Sequence, residues 1–117
     1  MQNPTGSAVG TPSSYASNGL HMPQTGASVL IGHDAGGFYA LSSICPHQDC
    51  DMAGGSGQIT ASGVTCTCHG SKFSLSGAVT HGPANQGLPA YAMELGCDGQ
   101  LYVDTNSMVA ASQRVPG

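Results

Sequence analysis

The sequence predicts an all-β domain of antiparallel strands, on three observations. Its apolar runs are short and end at turn residues. Eighteen glycines and seven prolines are spread among only 117 residues, so loops and turns must dominate. No stretch carries a convincing helical period, an internal repeat or a heptad pattern.

Taken in order, residues 1–26 are rich in Gly, Ser, Thr, Asn and Pro and lack a hydrophobic period. They read as an extended arm or linker; the alternative is a loosely packed N-terminal segment of the domain, since chain ends tied into a sheet are common. Tyr15 and Leu20 are the obvious anchors, and His21 is expected to face solvent. Residues 27–32 and 38–44 are β-like runs joined by His33-Asp34-Ala35-Gly36-Gly37, whose Asp and glycines suit a hairpin turn. His33 reads as a turn residue. Residues 58–61 and 64–67 form a second pair, turning at Ser62-Gly63. Residues 72–74 make a short strand, 75–77 a turn, and 78–89 an irregular stretch. Residues 90–95 and 100–104 close the domain as a hairpin across Gly96-Cys97-Asp98-Gly99, where Asp-Gly is the strongest short turn signal in the chain. The tail, 105–117, is ambiguous: Met108 and Val109 can pack, and Pro116-Gly117 should fray.

Length fits one domain with little apolar bulk for a core. There is no Trp, and only two Phe and four Tyr, so cross-links would have to supply what the core does not. Charged residues are 7% of the chain, with Lys72 and Arg114 the only strong bases; a nucleic-acid or anionic-membrane surface has no electrostatic footprint here. The net charge of -4 is mildly acidic. No run of about 18 apolar residues can form a transmembrane helix, and the start, Met1-Gln2-Asn3-Pro4, lacks the basic and then apolar order of a signal peptide.

Chemistry concentrates in two stretches, Cys45-Pro46-His47-Gln48-Asp49-Cys50 and Cys66-Thr67-Cys68-His69-Gly70-Ser71. Each offers a thiolate and an imidazole at close range, as C-x-H and C-x2-H, and each carries a further cysteine. Thiolate and imidazole suit zinc and iron-sulfur iron alike. A structural zinc site, however, usually takes its ligands as C-x2-4-C or H-x3-5-H pairs and has no use for two more cysteines beside them. A [2Fe-2S] centre with two cysteines on one iron and two histidines on the other would be met by one Cys and one His from each stretch. Each stretch follows a predicted strand, a rigid element able to fix ligand spacing.

The two stretches closely resemble the cluster-binding boxes of Rieske proteins, C-x-H-x2-C and C-x-C-H-G-S, in the cysteine-rich form of the cytochrome bc and arsenite oxidase branches. The resemblance spans residues 38–104. It implies that Cys45, His47, Cys66 and His69 ligate a Rieske [2Fe-2S] cluster, that Cys50 and Cys68 form a disulfide between the loops, and that Gly82-Pro83-Ala84 is the proline loop closing over the cluster. It also implies an all-β Rieske fold filling 1–117, with a cluster-binding subdomain at 44–85 inserted between base sheets from 27–43 and 86–117. Ser71 matches the family serine that bonds a bridging sulfide. At Phe73 the high-potential branch often has Tyr, so that hydroxyl is missing. Gln48-Asp49 stands where the quinol-oxidising branch commonly has Leu-Gly; with Asp51 it makes the tip more polar than a quinol-docking one.

The implied function is one-electron transfer, as an exported soluble carrier or the soluble head of a bc-type or related redox complex. The donor would be a quinol or another redox subunit, and the acceptor a cytochrome or similar protein. A disulfide places the chain in an oxidising compartment, periplasmic or otherwise extracytoplasmic, with an export signal or anchor expected upstream; a cytosolic protein with two unbridged thiols is the alternative. The domain is expected to be a monomer and, at this length, cannot be a ring-hydroxylating oxygenase, which needs a second domain for its mononuclear iron. A non-redox zinc module is the competing function. Cys97, apart from both boxes, reads as a reduced thiol outside the ligand set, and His81 as a polar loop histidine.

Overall fold

The computed structural model describes residues 6–23, 28–44, 51, 52, 57–68, 70–82, 87–109, 114 and 115. The described residues form ten strands: β1 (Ser7–Gly10), β2 (Gly19–His21), β3 (Val29–Asp34), β4 (Gly37–Ser42), β5 (Gly57–Thr60), β6 (Gly63–Cys66), β7 (Lys72–Ser74), β8 (Val79–His81), β9 (Ala90–Leu95) and β10 (Leu101–Val109). A 3-10 turn, Pro12–Tyr15, lies between β1 and β2. They build a six-stranded sheet in the order β1-β10-β9-β4-β3-β2 and a four-stranded sheet in the order β5-β6-β7-β8. Every pairing is antiparallel.

The strands β3 and β4 are buried along almost their whole length, because both faces of this hairpin are covered. Alternation sends Val29, Ile31, Phe38 and Ala40 into one core with Val9, Tyr15, Leu101 and Val103. It sends Leu30, Tyr39 and Leu41 into the other, with Met52, Val64, Cys66 and Phe73. Sequence period 2 delivers successive side chains to opposite faces, and a strand covered on both faces must be apolar throughout. Each such Leu, Ile or Val stabilises the fold by about 1.5 to 3 kcal/mol through burial. The second core is the one that reaches the candidate site.

Of the two readings of 1–26, an extended arm or an N-terminal segment of the domain, residues 6–23 follow the second and add two edge strands to the six-stranded sheet. Val9, Tyr15 and Leu20 are each less than 5% exposed, and the Tyr15 hydroxyl donates to the Val9 carbonyl. Three well-spaced apolar side chains outweigh the polar average of the segment. His21 is only half-buried, its Nε2 2.7 Å from the Ser17 carbonyl. His33 belongs to β3 rather than to a turn, stacked on Phe38 with ring centroids 4.2 Å apart. The stretch 78–89 contributes β8, and β10 runs five residues past the expected end at 104 by means of a bulge between Asp104 and Met108. Asp104 stabilises that bulge by accepting the Asn106 N–H at 2.9 Å.

The far end of the chain is tied back as well. Val115 and Phe38 exchange two backbone hydrogen bonds of 2.8 Å, and Arg114 pairs with Asp34 at 2.8 Å while its guanidinium lies 3.9 Å over the Tyr39 ring. Tyr39 in turn donates to the Leu75 carbonyl at 2.5 Å, joining the six-stranded sheet to the turn after β7.

Candidate metal centre

The first cysteine-histidine loop, 45–50, lies outside the described residues, but its neck does not. Ile44 and Asp51 form an antiparallel bridge, and the Met52 N–H donates to the Ser43 carbonyl at 2.7 Å. Entry and exit of the loop are therefore held side by side at the end of β4. The Asp51 carboxylate accepts from Ser43 Oγ at 2.5 Å and from Ser28 Oγ at 2.8 Å.

The second loop, 67–70, is closed in the same manner. The Cys66 N–H donates to the Ser71 carbonyl at 2.7 Å and the Gly70 N–H to the Cys66 carbonyl at 2.9 Å. These bonds extend the β6–β7 ladder, in which Val64 faces Phe73 and Thr65 faces Lys72. Gly70 has φ +82° with open space where a Cβ would stand; this left-handed backbone is easy only for glycine, which explains why the box needs Gly before Ser71. That glycine was readable in the motif but not singled out in the sequence reading.

The two necks meet through one buried side chain. Met52, fully buried at the exit of the first loop, shares a core with Cys66, Val64 and Phe73 at the stem of the second. It packs over β5, where a Cβ on Gly57 would fall within 2.5 Å of the Met52 carbonyl oxygen, and Gly57 is the strand partner of Cys66. Cys66 is itself 0% exposed and Ser71 likewise. Because Val64 and Cys66 are two apart on β6 and Phe73 sits opposite Val64, Val64, Cys66 and Phe73 share one face.

Of the residues singled out in the sequence, the structure describes Cys66, Cys68, Ser71, Phe73 and Gly82. Cys45, His47, Cys50, His69 and Pro83 lie outside the described residues. Cys66 and Cys97 are in no disulfide; Cys68 is exposed on the second loop. Cys97 is exposed in the turn between β9 and β10, and His81 is exposed at the end of β8, beside Gly82. Among the described residues, no three His, Cys, Asp or Glu side chains gather to hold an ion. What the described part does offer fits a sulfur-ligated cluster: a cysteine whose burial keeps water away, on a hydrogen-bonded stem, facing the neck of a second loop that carries Cys and His.

Comparison with known proteins decides the matter. A family model for the Rieske [2Fe-2S] domain matches residues 9–92. The chain belongs to the Rieske [2Fe-2S] domain family. Its cofactor is a Rieske-type [2Fe-2S] cluster; the zinc alternative has no support. The cytochrome b6-f complex iron-sulfur subunit of Synechococcus sp. strain WH7803 is 39% identical over 56 residues, 48% of this chain and 30% of that subunit. The Rieske subunit of the mitochondrial cytochrome b-c1 complex of Schizosaccharomyces pombe is 40% identical over 59 residues, 49% of this chain and 25% of that protein. The matched segment is thus under a third of each relative's length. The plasma membrane Rieske protein PetC3 of Synechocystis PCC 6803 superposes with a TM-score of 0.61 at 23% identity, covering 85% of this chain and 99% of the other; at that identity the likeness is one of fold. No helix among the described residues is long and apolar enough to cross a membrane.

Proposed function

We propose that this domain is an extracytoplasmic one-electron carrier, or the soluble head of a larger redox complex, whose cluster is held by Cys45, His47, Cys66 and His69. The observation that carries the reading is the convergence of the two loop necks on Met52: each loop supplies one Cys and one His, and their stems are packed against each other rather than placed at opposite ends of the fold. Cys45 and Cys66 as thiolates and His47 and His69 as neutral imidazoles would hold a cluster that supplies one-electron chemistry at a potential of about -150 to +300 mV.

The chain's own residues set the surroundings. Cys66 is kept dry by Met52, Val64 and Phe73. Ser71, paired with Cys66 through the backbone, would bond the cluster sulfur through its hydroxyl, and Gly82-Pro83 would close the remaining side. A disulfide between Cys50 and Cys68 would limit how far the two loops part. Such a bond needs an oxidising compartment, which supports a periplasmic or lumenal location.

The b6-f and b-c1 relatives are subunits of electron-transfer complexes, which supports a redox protein as partner: a quinol or other donor on one side and a cytochrome or similar acceptor on the other. Gln48 and Asp49 make the first box more polar in sequence than a quinol-docking one, favouring a soluble protein donor over a quinol site. Metal and acid-labile sulfide analysis tests the ligand set. Two irons and two sulfides per chain are expected in the wild type and in Cys97→Ser, with loss of both in Cys45→Ser, His47→Ala, Cys66→Ser and His69→Ala. Retention of the cluster in any of those four would refute the assignment of that residue.

A further inference from the structure

We propose that Asp51 is a positioning residue for the redox centre: its carboxylate pins the neck of the first ligand loop and its fixed negative charge holds the reduction potential down. The inference rests on the reading above that loop 45–50 carries Cys45 and His47.

The pin is a closed circuit of described residues. Asp51 Oδ1 accepts from Ser43 Oγ at 2.5 Å and Oδ2 from Ser28 Oγ at 2.8 Å, so both oxygens receive hydroxyl donors, as suits an acceptor-only ionised carboxylate. The Ser43 N–H donates to the Ser28 carbonyl at 3.2 Å, and the Met52 N–H to the Ser43 carbonyl at 2.7 Å. Ser28 lies just before β3 and Ser43 just after β4. The carboxylate therefore ties the exit of the ligand loop to both strands of the central hairpin. Ser43 is fully buried, which makes the bond it donates costly to lose.

The charge follows from the same placement. Asp51 faces Ile44 across the bridge, and Ile44 immediately precedes Cys45. A carboxylate at this neck is covalently within a few residues of both proposed ligands of the first loop. Adding an electron to the cluster raises its negative charge, and a fixed like charge in a partly buried, low-dielectric setting opposes that step. Removing the charge should therefore favour the reduced form.

Asp51→Asn keeps the shape and most of the hydrogen bonding while removing the charge. Its midpoint potential, read by voltammetry, should rise by the equivalent of up to about tenfold in the one-electron equilibrium, or about 59 mV, at unchanged iron and sulfide content. Asp98→Asn, which changes net charge equally in the exposed turn between β9 and β10, should leave it in place. An Asp51→Asn potential equal to wild type, or a shift no larger than that of Asp98→Asn, would overturn the electrostatic part. Ser28→Ala removes one hydrogen bond and keeps the charge, so it reads the pin alone and serves also if Asp51→Asn does not hold a cluster. Bleaching of its cluster by an iron chelator should quicken by about tenfold, the scale of one hydrogen bond to a charged group, and a wild-type rate would overturn the pin. Failure of the wild type itself to assemble a cluster would count against the proposed function, not against the role of Asp51.

Discussion

Gly57 lies directly under Met52, so close that a Cβ at position 57 would stand 2.5 Å from the Met52 carbonyl oxygen and 2.6 Å from its Cβ. Since Gly57 pairs with Cys66 and Met52 ends the neck of the first loop, this contact sets how closely the two loop necks approach. Gly57→Ala presses against backbone that cannot yield without moving the neck, and overpacking of this kind costs about 1 to 3 kcal/mol. A lowered melting temperature and faster cluster loss are expected, while Gln58→Ala on the exposed neighbour should melt as wild type does.

The shared face of Cys66, Val64 and Phe73 bears on tuning. A hydroxyl added by Phe73→Tyr enters a core that includes Cys66, where a bond to sulfur favours the reduced cluster; Ser71→Ala removes a buried hydroxyl beside it. One hydrogen bond is worth about 0.5 to 1.5 kcal/mol, which for one electron is tens of millivolts. Voltammetry should show the first potential raised and the second lowered. If neither moves, these side chains do not reach the cluster.

Acid should weaken the tie between the chain's end and the central hairpin. The Arg114 guanidinium, bonded to both Asp34 oxygens at 3.0 Å, holds the Asp34 carboxyl below its ordinary value, with the Gly36 and Gly37 backbone N–H groups adding to the effect and desolvation opposing it. A depressed carboxylate contributes stability that is fully present above its unfolded value, about 3.9, and is lost as pH falls through the lower folded value. Asp34 is 44% exposed, so screening limits the contribution to under about 1 kcal/mol. The melting-temperature difference between wild type and Asp34→Asn should be small and steady from pH 7 to 5 and vanish below the ordinary carboxylate range. A difference that grew on acidification would contradict the pairing.

Alkylation followed by mass spectrometry should separate the five cysteines. Cys97, exposed in its turn, is expected to react in the folded protein, and Cys50 and Cys68 only after reduction. Replacing both by Ser should cost about 2 to 4 kcal/mol without changing the metal content. A bridge from Cys97 to either of them would undo the pairing proposed here.

Much of this arrangement was legible in the residues. The paired spacing of Cys45, His47, Cys66 and His69 pointed to the cofactor, and β7 and β9 fall where short apolar runs end at Gly and Pro. Composition left 1–26 open between an arm and a tied-in segment: Tyr15 and Leu20 were legible as anchors and Val9 was not, because the burial of all three depends on strands far along the chain. His33 was misplaced because Asp34 and the glycines after it favour a turn locally, whereas pairing with Phe38 carries β3 two residues further. The roles of Met52, Gly57 and Asp51 could not be read at all. Each depends on a contact across sheets or across a loop neck, and nothing in local sequence announces that Gly57 must be small because a methionine backbone crosses it.

In the proposed centre two histidines, one from each loop, ligate one iron of the cluster. Electron-nuclear double resonance on the reduced protein measures it directly. Two strongly coupled histidine nitrogens are expected in the wild type and in Cys97→Ser, both altered by 15N-histidine labelling, on a protein that carries two irons and two sulfides. A reduced-cluster spectrum without nitrogen coupling, or a protein holding zinc and no sulfide, would contradict it.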